Sequence, residues 1–314
     1  MNFRTQIKLQ PERNQIDYNS KLLFLGSCFS ENIYKKFKYF KFKTVSNPFG
    51  IIYNPIAIEK IVSNAISKHV YTEANVFEFN ERWHSFDAHS SLSASTKNET
   101  ITNLNHAVKI TSTQLKQASH IFITLGTAWV YQYLEDRKIV SNCHKLPSSK
   151  FKHNLLSVNE IVTNLQHLVS EIKKVNSSCS IIFTVSPVRH LKDGFTENAM
   201  SKAHLLTAIH NLISENNEIY YFPSYEIMMD DLRDYRFYNE DMLHPNNLAI
   251  DYIWEQLKSV WLNESTASII KKVESVQKAL AHKPFNPNSQ AYTDFLAKIE
   301  AQKKLLKNKH NIIF

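Results

Sequence analysis

Five short apolar runs along the chain are separated by segments with helical periodicity. The runs are rich in β-branched and aromatic residues, which predicts strands at 22–25, 42–46, 120–125, 180–186 and 219–222. Amphipathic patterns between them predict helices at 31–37, 55–68, 104–117, 158–175 and 198–215. Because strands and helices alternate and the strands are near-continuous apolar runs, we expect an α/β fold with a parallel sheet covered on both faces. Ligands in such sheets bind at the carboxyl ends of the strands.

Two aromatic and histidine-rich segments, about 70–95 and 131–147, do not fit this alternation. We expect both to be inserted excursions over one end of the sheet. After about Leu262 the pattern becomes a lysine-rich helical tail, interrupted by a loop at 283–287 that contains two prolines. The pattern therefore predicts one large domain followed by a helical extension.

The charge of the chain is concentrated in this tail. Of the net charge of +8, +6 lies in residues 268–314, which hold nine lysines and three acidic residues. Because the body is close to neutral, we do not expect a nucleic-acid partner. The tail is predicted to be a solvated helix face, and contact with a partner or an anionic surface is the alternative.

The sequence contains no secretory signal pattern and no apolar run of about 18 residues. We therefore predict a cytoplasmic protein without a transmembrane segment. Three cysteines lie far apart, at positions 28, 143 and 179, and are expected to be reduced thiols. The spacing of His84, Asp87 and His89 permits a metal site, but the sequence offers no fourth ligand. We predict no metal and no cofactor, and expect these residues, with His190, to line a pocket.

Glycine is rare, with four among 314 residues where about 7% is usual. Three of them, Gly26, Gly50 and Gly126, lie just beyond apolar runs. We expect these positions to need a positive φ or a close approach of the backbone.

Gly26 opens the sequence Gly26-Ser27-Cys28 at the junction of the first strand and the first helix. A nucleophile at a helix N-terminus has free backbone N–H groups nearby that can bind an oxyanion. The thiol pKa of a cysteine falls in such a place, which favours its reactive thiolate. The structural alternative is that Cys28 is a small buried apolar residue.

Far downstream, Asp241 precedes His244 by three residues. At this spacing the carboxylate can accept the Nδ1–H of the imidazole, which leaves Nε2 facing outward as a base. Such a pairing occurs often by chance on protein surfaces. Here it follows the fifth predicted strand by about twenty residues, so it could meet Cys28 at the same end of the sheet.

These motifs resemble the first and last blocks of the SGNH (GDSL-like) hydrolase superfamily. Together with NPFG, WHSF, LGTAWVY, NCHK and TVSPVRH, the motifs GSCF and DMLHPN more closely resemble the GSCFA-domain family, a bacterial branch of that superfamily, over roughly residues 20–262. The resemblance implies a three-layer α/β/α sandwich with a flavodoxin-like parallel sheet. It also implies an SGNH-like domain at 1–262 and a lysine-rich helical extension at 263–314.

The resemblance assigns roles residue by residue. Cys28 matches the nucleophilic serine of the superfamily, whereas Ser27 matches an aspartate and is the alternative nucleophile. Asp241 and His244 match the acid and the base. Gly50, in the motif that begins at Asn47, matches the glycine whose N–H helps to bind the oxyanion.

The sequence departs from the superfamily after the third strand. Where the superfamily has Gly-x-Asn-Asp, this chain has Gly126-Thr127-Ala128-Trp129, so the asparagine that supplies a side-chain donor is missing. Loss of one such donor can remove about 3 kcal/mol of transition-state stabilisation. We expect either that Thr127, the indole N–H of Trp129 or a histidine from an excursion replaces it, or that the oxyanion hole is weaker.

The resemblance implies an acyl-ester hydrolase or an acyltransferase that acts on a small-molecule or glycan ester. The alternative is a catalytically weak or inactive relative that binds a glycan or an acylated ligand in the same cleft, and the missing asparagine favours it.

Overall fold

The computed structural model describes residues 5–214 and 218–314 of the chain. Strands within these residues are β1 (Lys21–Gly26), β2 (Lys43–Ser46), β3 (Phe77–Phe79), β4 (Arg82–His84), β5 (His120–Leu125), β6 (Trp129–Tyr133), β7 (Ile139–Val140), β8 (Phe151–Leu155), β9 (Ser180–Val185) and β10 (Ile219–Tyr221). The α-helices are α1 (Cys28–Tyr39), α2 (Pro55–Ile66), α3 (Lys97–Gln117), α4 (Val158–Val175), α5 (Phe195–Ser214), α6 (Ser224–Glu226), α7 (Asn247–Trp261), α8 (Glu264–Ala281) and α9 (Gln290–His310). A π-helical turn, Ile227–Asp231, follows α6.

Five parallel strands form the central sheet in the spatial order β10-β9-β5-β1-β2. Counted along the chain, this is the 2-1-3-4-5 order of flavodoxin-like sheets, with the switch in strand order between β1 and β5. Two apolar clusters cover the two faces, one with α2 to α5 and the other with α1, α7 and the C-terminal helices. The expected three-layer α/β/α fold is confirmed.

Local sequence sets most of the helix boundaries. The side chains of Ser27, Asn54, Thr96 and Ser157 accept hydrogen bonds from backbone N–H groups at the starts of α1 to α4, as N-cap residues do. The predicted helix at 31–37 is longer in the structure because Ser27 starts it at Cys28. The predicted helix at 198–215 corresponds to α5, and residue 215 lies outside the described residues.

The two excursions contain short antiparallel sheets. The first includes the hairpin β3-β4, and the second forms the three-stranded sheet β7-β6-β8. These strands have two to five residues and are mostly half-exposed, so they lack the long apolar runs that predict a strand.

The C-terminal helices pack on the body of the protein. Val273, Val276, Ile299 and Leu306 are buried in the same cluster as Trp254 of α7. Eight of the nine tail lysines are exposed, and Lys303 is partly buried. The tail therefore has a solvated basic face and a buried apolar face, and the domain division at 262 stays a prediction. Over the described residues, no helix is both long enough and apolar enough to cross a bilayer.

Candidate active site

The register of the central sheet brings three loops to one edge. Gly26 of β1 pairs with Thr124 of β5, which in turn pairs with Thr184 of β9. The segments that begin at Ser27, Gly126 and Ser186 therefore leave the carboxyl ends of three neighbouring strands, next to the switch in strand order. This crevice is where ligands bind in open α/β sheets.

Gly26 allows the sharp turn from β1 into α1. Its φ is +130°, and a Cβ at this position would lie 2.2 Å from the carbonyl oxygen of Thr124. Its N–H donates to Oδ1 of Asn47 at 2.8 Å. No residue other than glycine fits here without displacing β5, as the sequence predicts.

Ser27 and Cys28 have different environments at the start of α1. Ser27 is only 1% exposed, and its Oγ accepts a hydrogen bond from the N–H of Phe29 at 3.3 Å. Cys28 is the first residue of the helix and is half-buried. The hydroxyl of Ser27 therefore caps the helix, whereas the thiol of Cys28 has partial access to solvent.

The electrostatic environment of Cys28 differs from the one expected from sequence. Burial raises the pKa of the thiol, and the nearby charge of Asp241 adds to this effect. The backbone N–H groups of Phe29 and Cys28 and the charge of Lys202 lower the pKa. The effect of the helix N-terminus is therefore present, but desolvation of the thiolate outweighs it.

Asp241 and His244 form a well-defined pair. Oδ2 of Asp241 accepts from Nδ1 of His244 at 2.6 Å, and Oδ1 accepts from the N–H groups of Leu243 and His244 at 2.8 and 2.9 Å. These backbone donors hold the pKa of Asp241 at about 2. The carboxylate therefore fixes the imidazole, and Nε2 of His244 makes no hydrogen bond within residues 5–214 and 218–314.

A hydrogen bond from the segment after β9 holds the His244 loop at the same edge of the sheet as Cys28. The N–H of Arg189, four residues past β9, donates to the carbonyl of Leu243 at 3.2 Å. The guanidinium of Arg189 also lies 4.5 Å from the ring centre of Tyr238. Within the described part of the chain, no hydrogen bond joins His244 to Cys28 or Ser27, so the complete triad stays a prediction.

Asn47 and Gly50 shape the neighbouring turn. Gly50 has a φ of +78° and lies against His89, and its N–H donates to the carbonyl of Asn47 at 2.7 Å. The side chain of Asn47 accepts from Gly26 and donates to Glu31 at 2.7 Å. The Gly50 N–H is thus engaged in a turn, and Asn47 ties that turn to the start of α1.

The segment after β5 also has its donors engaged. Ala128, in the position of the missing asparagine, is fully buried. The N–H of Gly126, the hydroxyl of Thr127 and the indole N–H of Trp129 all have partners. These contacts are Gly126 N to Tyr53 O at 2.7 Å, Thr127 Oγ1 with Ser201 Oγ at 2.9 Å, and Trp129 Nε1 to Glu197 O at 3.1 Å.

A cavity of about 360 Å³ lies beside Gly126. The ring of His153 stacks against Trp129 at 4.5 Å and against Tyr131 at 4.4 Å, measured between ring centres. The lining also contains the apolar residues Val140, Leu146 and Phe151 and a group of polar or thiol-bearing residues that includes Cys143, His144, His190, Lys192 and Asp193. Tyr53 lines the cavity too; burial raises the pKa of its phenol, and the charges of Tyr131, Cys143 and Cys28 raise it further. Because Gly126 packs against Tyr53 and His190, the cavity lies where β5 ends, next to β1.

His190 lies between the cavity and the strand ends. Its ring centre is 5.2 Å from that of Tyr53, and its Nε2 is buried and has no hydrogen-bond partner among the described residues. Burial, together with the charge of Lys202, lowers the pKa of His190 to about 3. His190 is therefore a neutral imidazole at physiological pH.

The residues considered for a metal site have other partners. His84 contacts the hydroxyl of Ser93 at 2.7 Å through Nδ1, and Asp87 pairs with Lys60 at 2.6 Å. Among the residues that the structure describes, no three His, Cys, Asp or Glu side chains are grouped in a way that could hold a metal ion.

Lys202 is a residue at this edge that the sequence reasoning missed. Its side chain is 1% exposed, and Nζ donates to the carbonyls of Gly126 at 2.7 Å and Ser186 at 2.8 Å. The pattern of α5 contains a clue, because the buried residues Leu205, Ile209 and Leu212 continue the helical face on which Lys202 lies. A lysine in a core-facing position of a helix is unusual.

The fold and this edge define a flavodoxin-like α/β protein with a cysteine at the first strand-to-helix junction and an Asp–His pair on a late loop. The chain belongs to the GSCFA family, whose model matches residues 21–257, which confirms the family suggested by the motifs. Residues 273–313 match the C-terminal domain of GSCFA domain proteins.

No curated protein shows significant similarity to the chain. Among solved structures, the chain is similar to an acetyl xylan esterase (Est2A) from the rumen bacterium Butyrivibrio proteoclasticus, with 13% sequence identity and a TM-score of 0.40. The match covers 86% of this chain and 66% of the esterase chain, so this chain spans slightly less than two thirds of the esterase's length.

Proposed function

We propose that the protein is an acyl-ester hydrolase or acyltransferase in which Cys28 is the nucleophile and His244 is the base. One observation carries the proposal: the carboxylate of Asp241 fixes Nδ1 of His244 at 2.6 Å and leaves Nε2 unbonded within the described residues. This pair lies at the same edge of the sheet as a cysteine that opens a helix. A nucleophile, a base and a group that orients the base are the parts of a catalytic triad.

The environments of the two candidate nucleophiles favour Cys28. Ser27 is buried, and its hydroxyl caps α1. Use of Ser27 as a nucleophile would remove that cap, which is worth about 1 kcal/mol. Cys28 is half-buried, and two backbone N–H groups lie close enough to its sulfur to lower the thiol pKa.

The proposed reaction has two steps. His244 Nε2 takes the proton of the Cys28 thiol, and Sγ forms a bond to the carbonyl carbon of the ester. The ester C–O bond breaks, and the leaving alcohol receives the proton from His244. In the second step, water or an acceptor hydroxyl gives its proton to His244 and attacks the thioester, which releases the acid or the new ester and restores the thiol.

The oxyanion is expected to bind the N–H of Cys28, because the first N–H groups of a helix have no acceptor within the helix. The N–H groups of Gly50 and Gly126 are engaged elsewhere, and Ala128 offers no donor. With fewer donors, we expect turnover to be slower than in enzymes with a complete oxyanion hole, by about 10²- to 10³-fold for each missing donor.

The cavity beside Gly126 supports a small-molecule or glycan ester as the substrate. Its volume of about 360 Å³ fits a compact ligand such as one sugar unit with an acyl group. Aromatic rings and several polar side chains line it together, as in sites that bind the apolar faces and hydroxyls of a sugar.

The second candidate function is binding of a glycan or acylated ligand without efficient turnover. The raised pKa of Cys28 and the engaged N–H groups around it favour this function. The two candidate functions can be distinguished chemically, because a protein that only binds its ligand does not accumulate a covalent acyl adduct.

The test is incubation with a panel of activated aryl esters, from acetyl to octanoyl, followed by intact-mass measurement and peptide mapping. We expect one acyl group on Cys28, lost in Cys28→Ala and strongly reduced in His244→Ala. Cys143→Ala is the matched control, because Cys143 is a second half-buried cysteine that lines the neighbouring cavity.

Three other outcomes each decide against the proposal. An adduct on Ser27, with a fluorophosphonate adduct at the same residue, would replace Cys28 as the nucleophile. Equal slow acylation of all three cysteines would favour the binding function. Acylation of Cys28 that is unchanged in His244→Ala would remove His244 from the reaction.

A further inference from the structure

Lys202 is a buried cation at the reaction edge of the sheet. Its ammonium donates to the carbonyls of Gly126 and Ser186, which are the first residues beyond β5 and β9. The side chain is 1% exposed. An ammonium has three protons to donate, and these two carbonyls are its hydrogen-bond acceptors in the described part of the chain.

Among the described residues, no carboxylate forms an ion pair with this cation. The ion pairs found among residues 5–214 and 218–314 do not include Lys202. Besides the two carbonyls, its Nζ lies 5.8 Å from the centre of the Tyr225 ring. Carbonyls and a ring are neutral, so they do not offset the whole cost of removing an ammonium from water. A group that becomes negative during the reaction would provide the missing counter-charge.

The strand register places Cys28 in a position to do this. Cys28 lies two residues beyond Gly26, and Gly126 lies two residues beyond Thr124, which is the partner of Gly26 in the β1–β5 ladder. The carbonyl of Gly126 that holds the ammonium therefore follows the strand next to β1, and α1 with Cys28 starts just past the end of β1.

We propose that the ammonium of Lys202 is the buried counter-ion of the Cys28 thiolate, and that Lys202 is a positioning residue for the nucleophile. This inference rests on the proposed function, in which Cys28 must ionise before it attacks. Lys202 contacts backbone carbonyls and not the substrate. Its role is to stabilise negative charge on Sγ while His244 holds the proton that the thiol has lost.

The charges around the pair agree with this role. Burial lowers the pKa of Lys202 to about 7 even though the charge of Cys28 raises it, and the charge of Lys202 in turn lowers the pKa of Cys28. Of the other groups nearby, His190 stays neutral because its pKa is about 3, and Asp241 opposes ionisation of Cys28. Tyr225 presents its ring, and burial raises the pKa of its phenol. Lys202 is thus the cation that favours the thiolate.

This assignment also puts a positive charge near the segment that lacks the asparagine. Ala128 contributes no donor at the end of β5, whereas the ammonium of Lys202 lies on the carbonyl of Gly126, two residues earlier. A fixed positive charge in a dry environment stabilises nearby negative charge more strongly than it does in water.

The test measures the rate of Cys28 alkylation by iodoacetamide from about pH 5.5 to 9.5, with peptide mapping to separate the three cysteines. Lys202→Gln keeps an N–H donor for the carbonyls and removes the charge, whereas Lys202→Met removes both. We expect both variants to move the midpoint of the Cys28 profile upward by about one pH unit or more. The rate at pH 7.5 would then fall about tenfold.

Lys173→Met is the matched control. Lys173 is also largely buried and donates to the carbonyl of a cysteine, Cys179, at 3.0 Å, but that cysteine precedes β9 at the opposite edge of the sheet. We expect the Cys28 profile to be unchanged in this variant. A shift in Lys202→Met without a shift in Lys202→Gln would mean that the carbonyl contacts matter and the charge does not, which would overturn the inference.

A second measurement uses the unmodified sequence in case the variants do not fold. In protein labelled with ¹³C at lysine Cε, one resonance is expected to titrate far below the others. Blocking Cys28 with methyl methanethiosulfonate removes the thiolate, so this midpoint should fall. An unchanged midpoint would overturn the inference. Neither measurement needs ester turnover. If the pH profile of Cys28 alkylation depends on Lys202 but no acyl adduct forms, the proposed function is contradicted and the role of Lys202 is not.

Discussion

Replacement of Lys202 by methionine tests the energetic consequence of its burial. Burial lowers the pKa of Lys202 from its ordinary value of 10.5 to about 7. Between these values the unfolded chain binds the proton and the folded protein does not, so the free energy of unfolding rises with pH in this window. Each pKa unit corresponds to about 1.4 kcal/mol, which gives about 5 kcal/mol over the whole window. From about pH 6.5 to 9.5 the expected rise is about 3 kcal/mol.

The measurement is urea unfolding of Cys28→Ala and of the double variant Cys28→Ala/Lys202→Met at several pH values. The Cys28→Ala background removes the coupled thiol, and every group that the two proteins share cancels in their difference. We expect the Lys202 protein to gain about 3 kcal/mol relative to the double variant across this range, with equal m-values. A difference that stays constant within about 0.5 kcal/mol would refute the argument, because Lys202 would then titrate alike in the folded and unfolded states.

Three other substitutions test the site. Gly26→Ala should lower the free energy of unfolding, measured in urea, by more than about 3 kcal/mol. Residue 26 has a positive φ, and the new Cβ would lie 2.2 Å from the carbonyl oxygen of Thr124. A loss no larger than that caused by Gly126→Ala would contradict this. Asp241→Asn keeps an acceptor for the backbone but turns an N–H toward Nδ1 of His244, so ester kcat should fall about 10³- to 10⁴-fold with the fold intact. An unreduced kcat would exclude His244 as the base. Trp129→Phe removes the hydrogen bond from the indole N–H to the carbonyl of Glu197, so the free energy of unfolding should fall by about 1 kcal/mol while kcat stays within about threefold. A fall in kcat of about 100-fold would mean that the indole binds the oxyanion.

The central sheet is predictable from sequence because its strands are buried on both faces. The residues of β5 and β9 are all buried, so both strands are near-continuous apolar runs, interrupted by only two polar residues each. The small sheets are not predictable in this way. Strand β6 has one fully buried residue, Val130, β7 consists of only two residues, and β8 has an apolar residue only at each end.

The positions of the site residues follow from sequence only in part. The geometry at Gly26 and in the Asp241–His244 pair is set by residues within one turn of each other, so a short sequence motif predicts it. The engagement of the Gly50 and Gly126 N–H groups depends on contacts with other segments, which a motif does not record. The pKa of Cys28 is a balance between a helix start and burial, and burial depends on the whole fold.

Lys202 illustrates the same limit and its physical cause. Two carbonyls at the ends of neighbouring parallel strands, those of Gly126 and Ser186, hold the ammonium of Lys202. This contact puts a buried amine at the edge where β1, β5 and β9 end together. The helical period of α5 identifies Lys202 as a buried lysine, but only the order of the strands brings it beside Cys28. A buried charge in this chain is therefore best interpreted together with the strand register, because the register determines which reacting group the charge can stabilise.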